Sequence, residues 1–238
     1  DRAIGGAVNI ITKKIKSDKI FSGSVAVIGE GDGSNKESLR LNLNTGKIRS
    51  YISGGNNRKE GYRDNSELHA YDFAYYIEGD ISKNSSLSGK ITYHKDECGL
   101  PGPLEMADME ENRKKSKYMS DFAKIELKSA ELQHVYDIEN FEIRNSLVVS
   151  EREKKYLMFN KYKGDIEGKK INFISEGRYK AGKNSIIFGT DCLNEESKDG
   201  SEKTNKKSLE GYVSDFYKLA ESLEINGGAR TGVTELEF

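Results

Sequence analysis

Proline is almost missing from this chain of 238 residues. Pro101 and Pro103 are the only two, and both lie in Gly99-Leu100-Pro101-Gly102-Pro103-Leu104. A proline inside a paired strand deletes a ladder hydrogen bond, so a sheet-dominated chain confines it to loops. The proline-free remainder, with its 24 glycines, fits a continuous sheet. Long apolar runs are missing as well: nothing approaches the roughly 18 consecutive apolar residues of a transmembrane helix. Hydrophobic residues make up 35 % of the chain and the mean hydropathy is −0.74. These values exclude a transmembrane helix but not a transmembrane barrel, whose strands need only one apolar residue in two. An excess of charge of either sign is also lacking. Thirty-eight basic against 39 acidic residues give a net charge of −1, which argues against a nucleic-acid partner. Arg113-Lys114-Lys115 and Lys206-Lys207 read as solvated loop charge.

Reactive constellations are equally scarce. His69, His94 and His134 stand at no metal-ligand spacing, so no metal site is expected. There is no Gly-x-Ser-x-Gly nucleophile motif, and Gly164–Lys170 lacks the spacing of a phosphate-binding loop. Asp32-Gly33-Ser34-Asn35 lacks the spaced carboxylates and closing Glu of a calcium loop and reads as a hairpin turn. Neither an enzyme nor a cofactor is expected. Cys98 and Cys192 fall several strands apart, and a disulfide needs Cα atoms within about 7 Å, so two unpaired thiols are expected.

What the chain has in abundance is period-2 alternation. Phe21, Gly23, Val25 and Val27 alternate with Ser22, Ser24 and Ala26, and Leu39, Leu41 and Leu43 with Ser38, Arg40, Asn42 and Asn44. Thr45-Gly46 turns into Lys47–Asn57, which carries Ile48 and Ile52. Tyr71, Phe73, Tyr75, Ile77 and Ile81 form the next strand, and Asn84-Ser85 turns into Leu87, Gly89, Ile91 and Tyr93. Tyr118–Ile138 reads as one very long strand or two short ones. Its apolar phase shifts near Ser129-Ala130, from Ala123, Ile125 and Leu127 to Leu132, His134 and Tyr136, which suggests a bulge. Phe141–Val149, Ile171–Tyr179, Ile186–Thr190, Leu209–Leu219 and Leu223–Arg230 bring the count to about eleven antiparallel strands. Short turns alternate with long polar connections expected at Arg58–His69, Asp96–Lys117, Asn160–Gly168 and Glu195–Lys207, the asymmetry of an outer-membrane barrel. Tyr71, Tyr75, Tyr93, Tyr118, Tyr156 and Tyr179 lie near strand ends and suit an interfacial girdle.

At the start of the chain, Ile4-Gly5-Gly6-Ala7-Val8-Asn9-Ile10-Ile11-Thr12-Lys13-Lys14 is a short strand entered through two glycines. As a string it resembles the segment that ends the plug of TonB-dependent outer-membrane receptors and joins it to the barrel. Gly99-Leu100-Pro101-Gly102-Pro103 resembles a loop opening found in some members, and Leu223–Arg230 a mid-barrel strand ending in Gly-Ala-Arg. That family's barrel has about 22 strands. The resemblance therefore implies a fragment of an all-β protein: residues 1–14 as the end of the plug, carried by Gly5, Gly6, Asn9, Ile10, Ile11 and Thr12, and 15–238 as a partial antiparallel transmembrane barrel. It further implies a bacterial outer-membrane location. Capture and TonB-driven import of a scarce nutrient, such as a ferric siderophore, haem or cobalamin, would follow. The implied partners are outer-membrane lipid, the TonB energy-coupling system and a small-molecule or metal-chelate ligand. Tyr62 and Arg63 in one loop, Leu100, Pro101 and Met106 in another, and His94 facing the lumen are the ligand-contact candidates. A passive porin-like barrel and a surface-displayed β-rich adhesin are the alternatives; the adhesin expects Leu39, Leu41 and Leu43 buried against a second sheet.

Overall fold

The computed structural model describes residues 19–220 and 223–237. The stretch 1–14, with its Gly5, Gly6, Asn9, Ile10, Ile11 and Thr12, lies outside the described residues. The rest is one eleven-stranded antiparallel meander in which every strand pairs with its neighbours in sequence. In order the strands are β1 (Phe21–Gly29), β2 (Asn35–Asn44), β3 (Ile48–Lys59), β4 (Leu68–Ser82), β5 (Ser85–Gly99), β6 (Phe122–Ile138), β7 (Phe141–Met158), β8 (Tyr162–Ala181), β9 (Asn184–Asp199), β10 (Glu202–Ala220) and β11 (Leu223–Glu237). One short helix, α1 (Met106–Glu111), interrupts the connection between β5 and β6.

Because side chains alternate across a strand, the register sorts the residues onto two faces. Leu41, Ile52, Tyr75 and Ile91 stand opposite one another on successive strands. The row continues through Ala130, Val149 and Ile171. A parallel row runs through Leu147, Phe173, Cys192, Leu209 and Val233. Each apolar cross-strand pair adds about 0.2–1 kcal/mol. The opposite face carries Arg40, Asn42, Tyr51, Tyr76, Lys90, Glu131, Asn172 and Asp191 in the corresponding rows.

Among the described residues no second layer covers the apolar face. Among the described residues the only buried hydrophobe is Ala70, while Leu39, Leu132 and Leu209 are 42 %, 50 % and 52 % exposed. A water-soluble sheet hides such a face against another layer. The burial of Leu39 and Leu43 that the adhesin alternative requires is not found.

Three sequence expectations are corrected. The polar stretches around Asn160–Gly168 and Glu195–Lys207 are not loops. β7 and β8 meet in a turn at 159–161, and β9 and β10 at 200–201, so these residues are strand. Among the described residues, long connections remain at 60–67 and 100–121. Second, no bulge occurs near Ser129: β6 runs unbroken in register with both neighbours, and the shifts lie at Asp80/Ser82 and Lys218/Ala220 instead. The phase change has another cause. In its first half β6 presents Lys124, Glu126 and Lys128 on the face that later presents Leu132 and Tyr136, so polarity inverts along an unbroken strand. Third, Tyr156 lies on the polar face over Gly164, and Tyr118 lies in a loop, so neither joins a girdle with Tyr71, Tyr93 and Tyr179.

Strand length explains the inversion. In β7 the apolar run Phe141–Val149 covers about nine residues, enough for a tilted strand to cross a bilayer. Glu151, Glu153 and Lys155 then continue the same face. At about 3.3 Å per residue and a tilt of about 45°, the 20 residues of β8 rise roughly 45–50 Å, well beyond an apolar band of about 25 Å.

Candidate functional site

The connections at the far, charged end of the strands carry most of the site candidates, and they pack into a single assembly. Arg63 is its clamp. Its guanidinium donates to the carbonyls of Gly102 at 2.6 Å, Pro101 at 3.3 Å and Lys115 at 2.8 Å, and the Asp64 amide donates to the Lys114 carbonyl at 2.7 Å. The planar five-donor fork of arginine suits this convergence of carbonyls. Asn65, in a left-handed conformation with φ of 54°, donates from Nδ2 to the carbonyls of Tyr118 at 2.6 Å and Asp121 at 2.8 Å. The loop 60–67 is thereby tied along the length of the loop 100–121.

Asp121 fastens a third connection. Its side chain is 2 % exposed and accepts the backbone N–H of Phe159 and, at 2.9 Å, that of Asn160. Both residues take positive φ, 58° and 51°, in the β7–β8 turn. Edge-to-face contacts of Tyr118 with Phe159 at 5.2 Å and of Phe159 with Tyr162 at 6.3 Å close the unit. Gly102 is obligatory there: φ is +68°, and a Cβ would sit 2.5 Å from the Tyr118 ring.

Helix α1 is held by charge. Lys117 Nζ contacts Asp108 and Glu105 at 2.8 Å each; Lys115 Nζ contacts Asp108 at 3.0 Å and Glu111 at 3.2 Å. Hydrogen bonds from Lys117 and then Lys115 hold the Asp108 carboxyl down to about 2, and the same bonds raise both lysines. The acidic rim of the loop is therefore largely neutralised by its own lysines.

Of the residues singled out from sequence, the assembly gathers Tyr62, Arg63, Leu100, Pro101 and Met106. Leu100 and Pro101 are half-buried; the Leu100 amide donates to the Asp121 carbonyl at 3.0 Å. Arg63 is engaged with carbonyls. Tyr62 and Met106 are exposed, with the Lys114 ammonium 5.9 Å from the Tyr62 ring centroid. His94 stands apart on the polar face of β5. It lies between Asp72, at 2.8 Å from Nδ1, and Asp96, at 3.5 Å from Nε2. Asn65 and Asp121, which organise the assembly, had no signal in the sequence beyond one Asn and one Asp in polar loops. No group of three or more His, Cys, Asp or Glu side chains that could hold a metal exists among the described residues. Cys98 and Cys192 are unpaired, on opposite faces of the sheet, with β6, β7 and β8 between their strands.

No protein-family model and no curated protein matches the chain. Solved structures do match it. The ferric-catecholate import receptor Fiu from E. coli K12, in an open form, superposes with a TM-score of 0.77 at 14 % identity, over 94 % of this chain and 46 % of that one. The siderophore receptor PirA from Pseudomonas aeruginosa gives 0.74 at 14 % identity, over 98 % and 41 %. The unliganded ferric citrate transporter FecA gives 0.74 at 14 % identity, over 91 % and 38 %. The chain thus spans less than half the length of these structures, and its fold is that of a partial TonB-dependent receptor barrel.

Proposed function

We propose, on the premise that this sheet is about half of a TonB-dependent receptor barrel, that the protein is an outer-membrane receptor importing a scarce nutrient chelate. A ferric siderophore is the first choice. One observation carries the membrane part of this reading: an uncovered apolar face runs across all eleven strands and is backed by a polar face. Such a sheet is stable only where the solvent on one side is lipid and a wet lumen lies on the other. The names of the similar structures, which speak of ferric citrate, ferric catecholates and siderophores, support the cargo.

In this scheme the chain performs no covalent chemistry. Residues 1–14 form the end of the plug, and 15–238 the adjoining barrel strands. The loop assembly is a preorganised lip at the outer mouth: Arg63, Asn65 and Asp121 fix it, and Tyr62, Met106 and Met109 offer exposed apolar contact. A lip ordered before the ligand arrives loses less entropy on binding. TonB, acting on the plug, then opens the path.

The test uses the complete protein in an iron-starved bacterial host stripped of its own ferric-chelate receptors. Growth on at least one chelate from a panel of siderophores, ferric citrate and haem, lost when TonB is deleted, is the expected result. Growth that persists without TonB indicates the passive porin-like alternative. Absence from the outer-membrane fraction overturns the reading.

A further inference from the structure

The apolar belt is not apolar throughout: on three neighbouring strands its centre is polar. In β7 the side chains on the apolar face are Phe141, Ile143, Asn145, Leu147 and Val149, so Asn145 stands roughly 13 Å along the strand from either end of the run. The register sets it between His134 of β6 and Ser175 of β8, each also at the centre of its own run. The row continues through Thr190 and Gly211 to Thr231. In β4 and β5 the corresponding centres are Ile77 and Gly89, which bring no polar side chain.

The sheet satisfies this row only in part. Ser175 Oγ donates to Asn145 Oδ1 at 2.8 Å, and Ser85 Oγ lies 2.9 Å from His134 Nε2. Both N–H groups of the Asn145 amide and the Thr190 hydroxyl have no partner among the described residues. Water would satisfy them at a wet surface. At the centre of a bilayer nothing does, and polar side chains there turn toward protein and not toward lipid. The remaining strands of a receptor barrel extend the sheet sideways from β1 and β11, and its plug fills the inside, so neither covers this outward row. A primary amide is its own complement: Oδ1 keeps a second lone pair beside the Ser175 bond, and Nδ2 supplies the donor. We propose that the β6–β9 part of the belt is a contact between two copies of this protein within the membrane, with the two Asn145 amides donating to each other across a two-fold axis along the membrane normal. Two convex barrels touching over four strands bury roughly 500 Å² a side, about 1,000 Å² in total, which is the lower limit for a specific interface. The dimer is therefore reversible. The proposal rests on the outer-membrane part of the receptor reading and not on the cargo.

The complete protein carrying Cys98→Ser, Cys192→Ser and Asn145→Cys is placed in lipid vesicles and oxidised with copper phenanthroline. A disulfide-linked dimer is expected, since the axis brings the two Cα atoms within the reach of about 7 Å that a disulfide needs. Ile52→Cys in the same background, on the belt of β3, should stay monomeric. With native cysteines, energy transfer between copies dye-labelled on their outer loops should fall as lipid dilutes them. Asn145→Leu should weaken that association by about 10-fold, equivalent to about 1.4 kcal/mol and within the range of polar contacts between membrane segments. It should not lower the urea midpoint of the diluted monomer, as it would if the amide served only the fold. Energy transfer absent at every dilution, unchanged association of Asn145→Leu, or equal cross-linking at 52 and 145 overturns the proposal and leaves the receptor reading standing. A photo-crosslinker at position 145 that captures lipid or a different membrane protein in cells, and never a second copy, overturns it too. A complete protein that does not enter the outer membrane overturns the receptor reading and the proposal with it.

Discussion

Asp121→Ala is the most exacting perturbation of the loop assembly. The carboxylate is nearly sealed from water and accepts two backbone N–H groups from the β7–β8 turn, while its own backbone carbonyl accepts from Leu100 and Asn65. Truncation leaves the second pair of bonds in place and removes only the first. Bonds to an ionised acceptor contribute about 1.5–3 kcal/mol each, so the two together set an upper limit of about 3–6 kcal/mol. The turn at 159–161 lies at the surface, and water replaces part of what is lost, which points to about 2–4 kcal/mol of local destabilisation. Phe159 and Asn160 hold positive φ without help from glycine, so the turn has little of its own to keep its shape. Hydrogen exchange at these two amides should accelerate by about 30- to 1,000-fold in the complete protein, since each 1.4 kcal/mol is tenfold. Exchange in the belt of β7 and β8 should not change. Asp121→Asn, which retains one acceptor, should fall between. Unaltered exchange at 159 and 160, or a uniform loss of protection throughout β7, would refute the reasoning.

Four further outcomes are expected. Leu41→Arg places a cation on the lipid-facing side and should destabilise the complete barrel by about 2–4 kcal/mol at midplane, whereas Asn42→Arg on the polar side should be much milder; equal shifts in the urea midpoint would contradict the assigned faces. The clasp on α1 has a worked pH sign: the Asp108 carboxyl is depressed in the folded loop, so its contribution is complete above pH 4, declines below it and is gone below about pH 2. Proteolysis within 105–117 should accordingly rise on acidification through that window and also with salt, and salt-insensitive cleavage would discount the clasp. Cys192 lies in the apolar belt and Cys98 on the opposite face, so only a lipid-soluble maleimide should reach Cys192 in vesicles; oxidation that shifts both thiols into one internal disulfide would contradict the topology. Expressed alone, this chain should collect in inclusion bodies, because β1 and β11 each pair on one side only among the described residues and unmet backbone groups are costly in lipid; a heat-modifiable monomer with channel activity would show that it closes unaided.

The alternation that defines β1 to β5 was legible in the sequence because an apolar face and a polar face dictate every second residue. In β6 to β10 that rule stops holding partway along each strand. Beyond the apolar belt charged residues take both faces, and the period survives in the backbone but not in the hydropathy. Thus the stretches around Asn160–Gly168 and Glu195–Lys207 look like loops and are largely strand, and the shift near Ser129 marks the end of the apolar belt. The loop assembly was half legible. Tyr62, Arg63, Pro101 and Met106 stand out by type, yet their union depends on Asn65 and Asp121, whose partners lie more than 30 residues away. Arg63 stands out as a ligand contact by its place in a polar loop; the carbonyls that occupy it come from a loop about 40–50 residues distant, a fact no local pattern contains.

A sheet without a hydrophobic core must stabilise its parts by different means, and this bears on where recognition resides. The belt is held by backbone ladders and cross-strand apolar pairs and, on the proposed reading, by lipid. None of these reaches the outer loops, where both faces are wet. There the chain substitutes polar closure: Arg63, Asn65 and Asp121 satisfy carbonyls and amides from three hairpins, and two lysines bind α1. Directional bonds fix geometry more tightly than an apolar contact does, and they leave apolar side chains free to remain exposed. Tyr62 and Met106 project from that rigid frame. On the proposed receptor reading, a mobile loop would pay ordering entropy on every capture, whereas this one presents its contacts already placed. On that reading, weakening the frame at Asp121 should reduce affinity for the proposed cargo without touching any group proposed to contact it, and the loss should appear in the association step, where a disordered lip must first be reassembled.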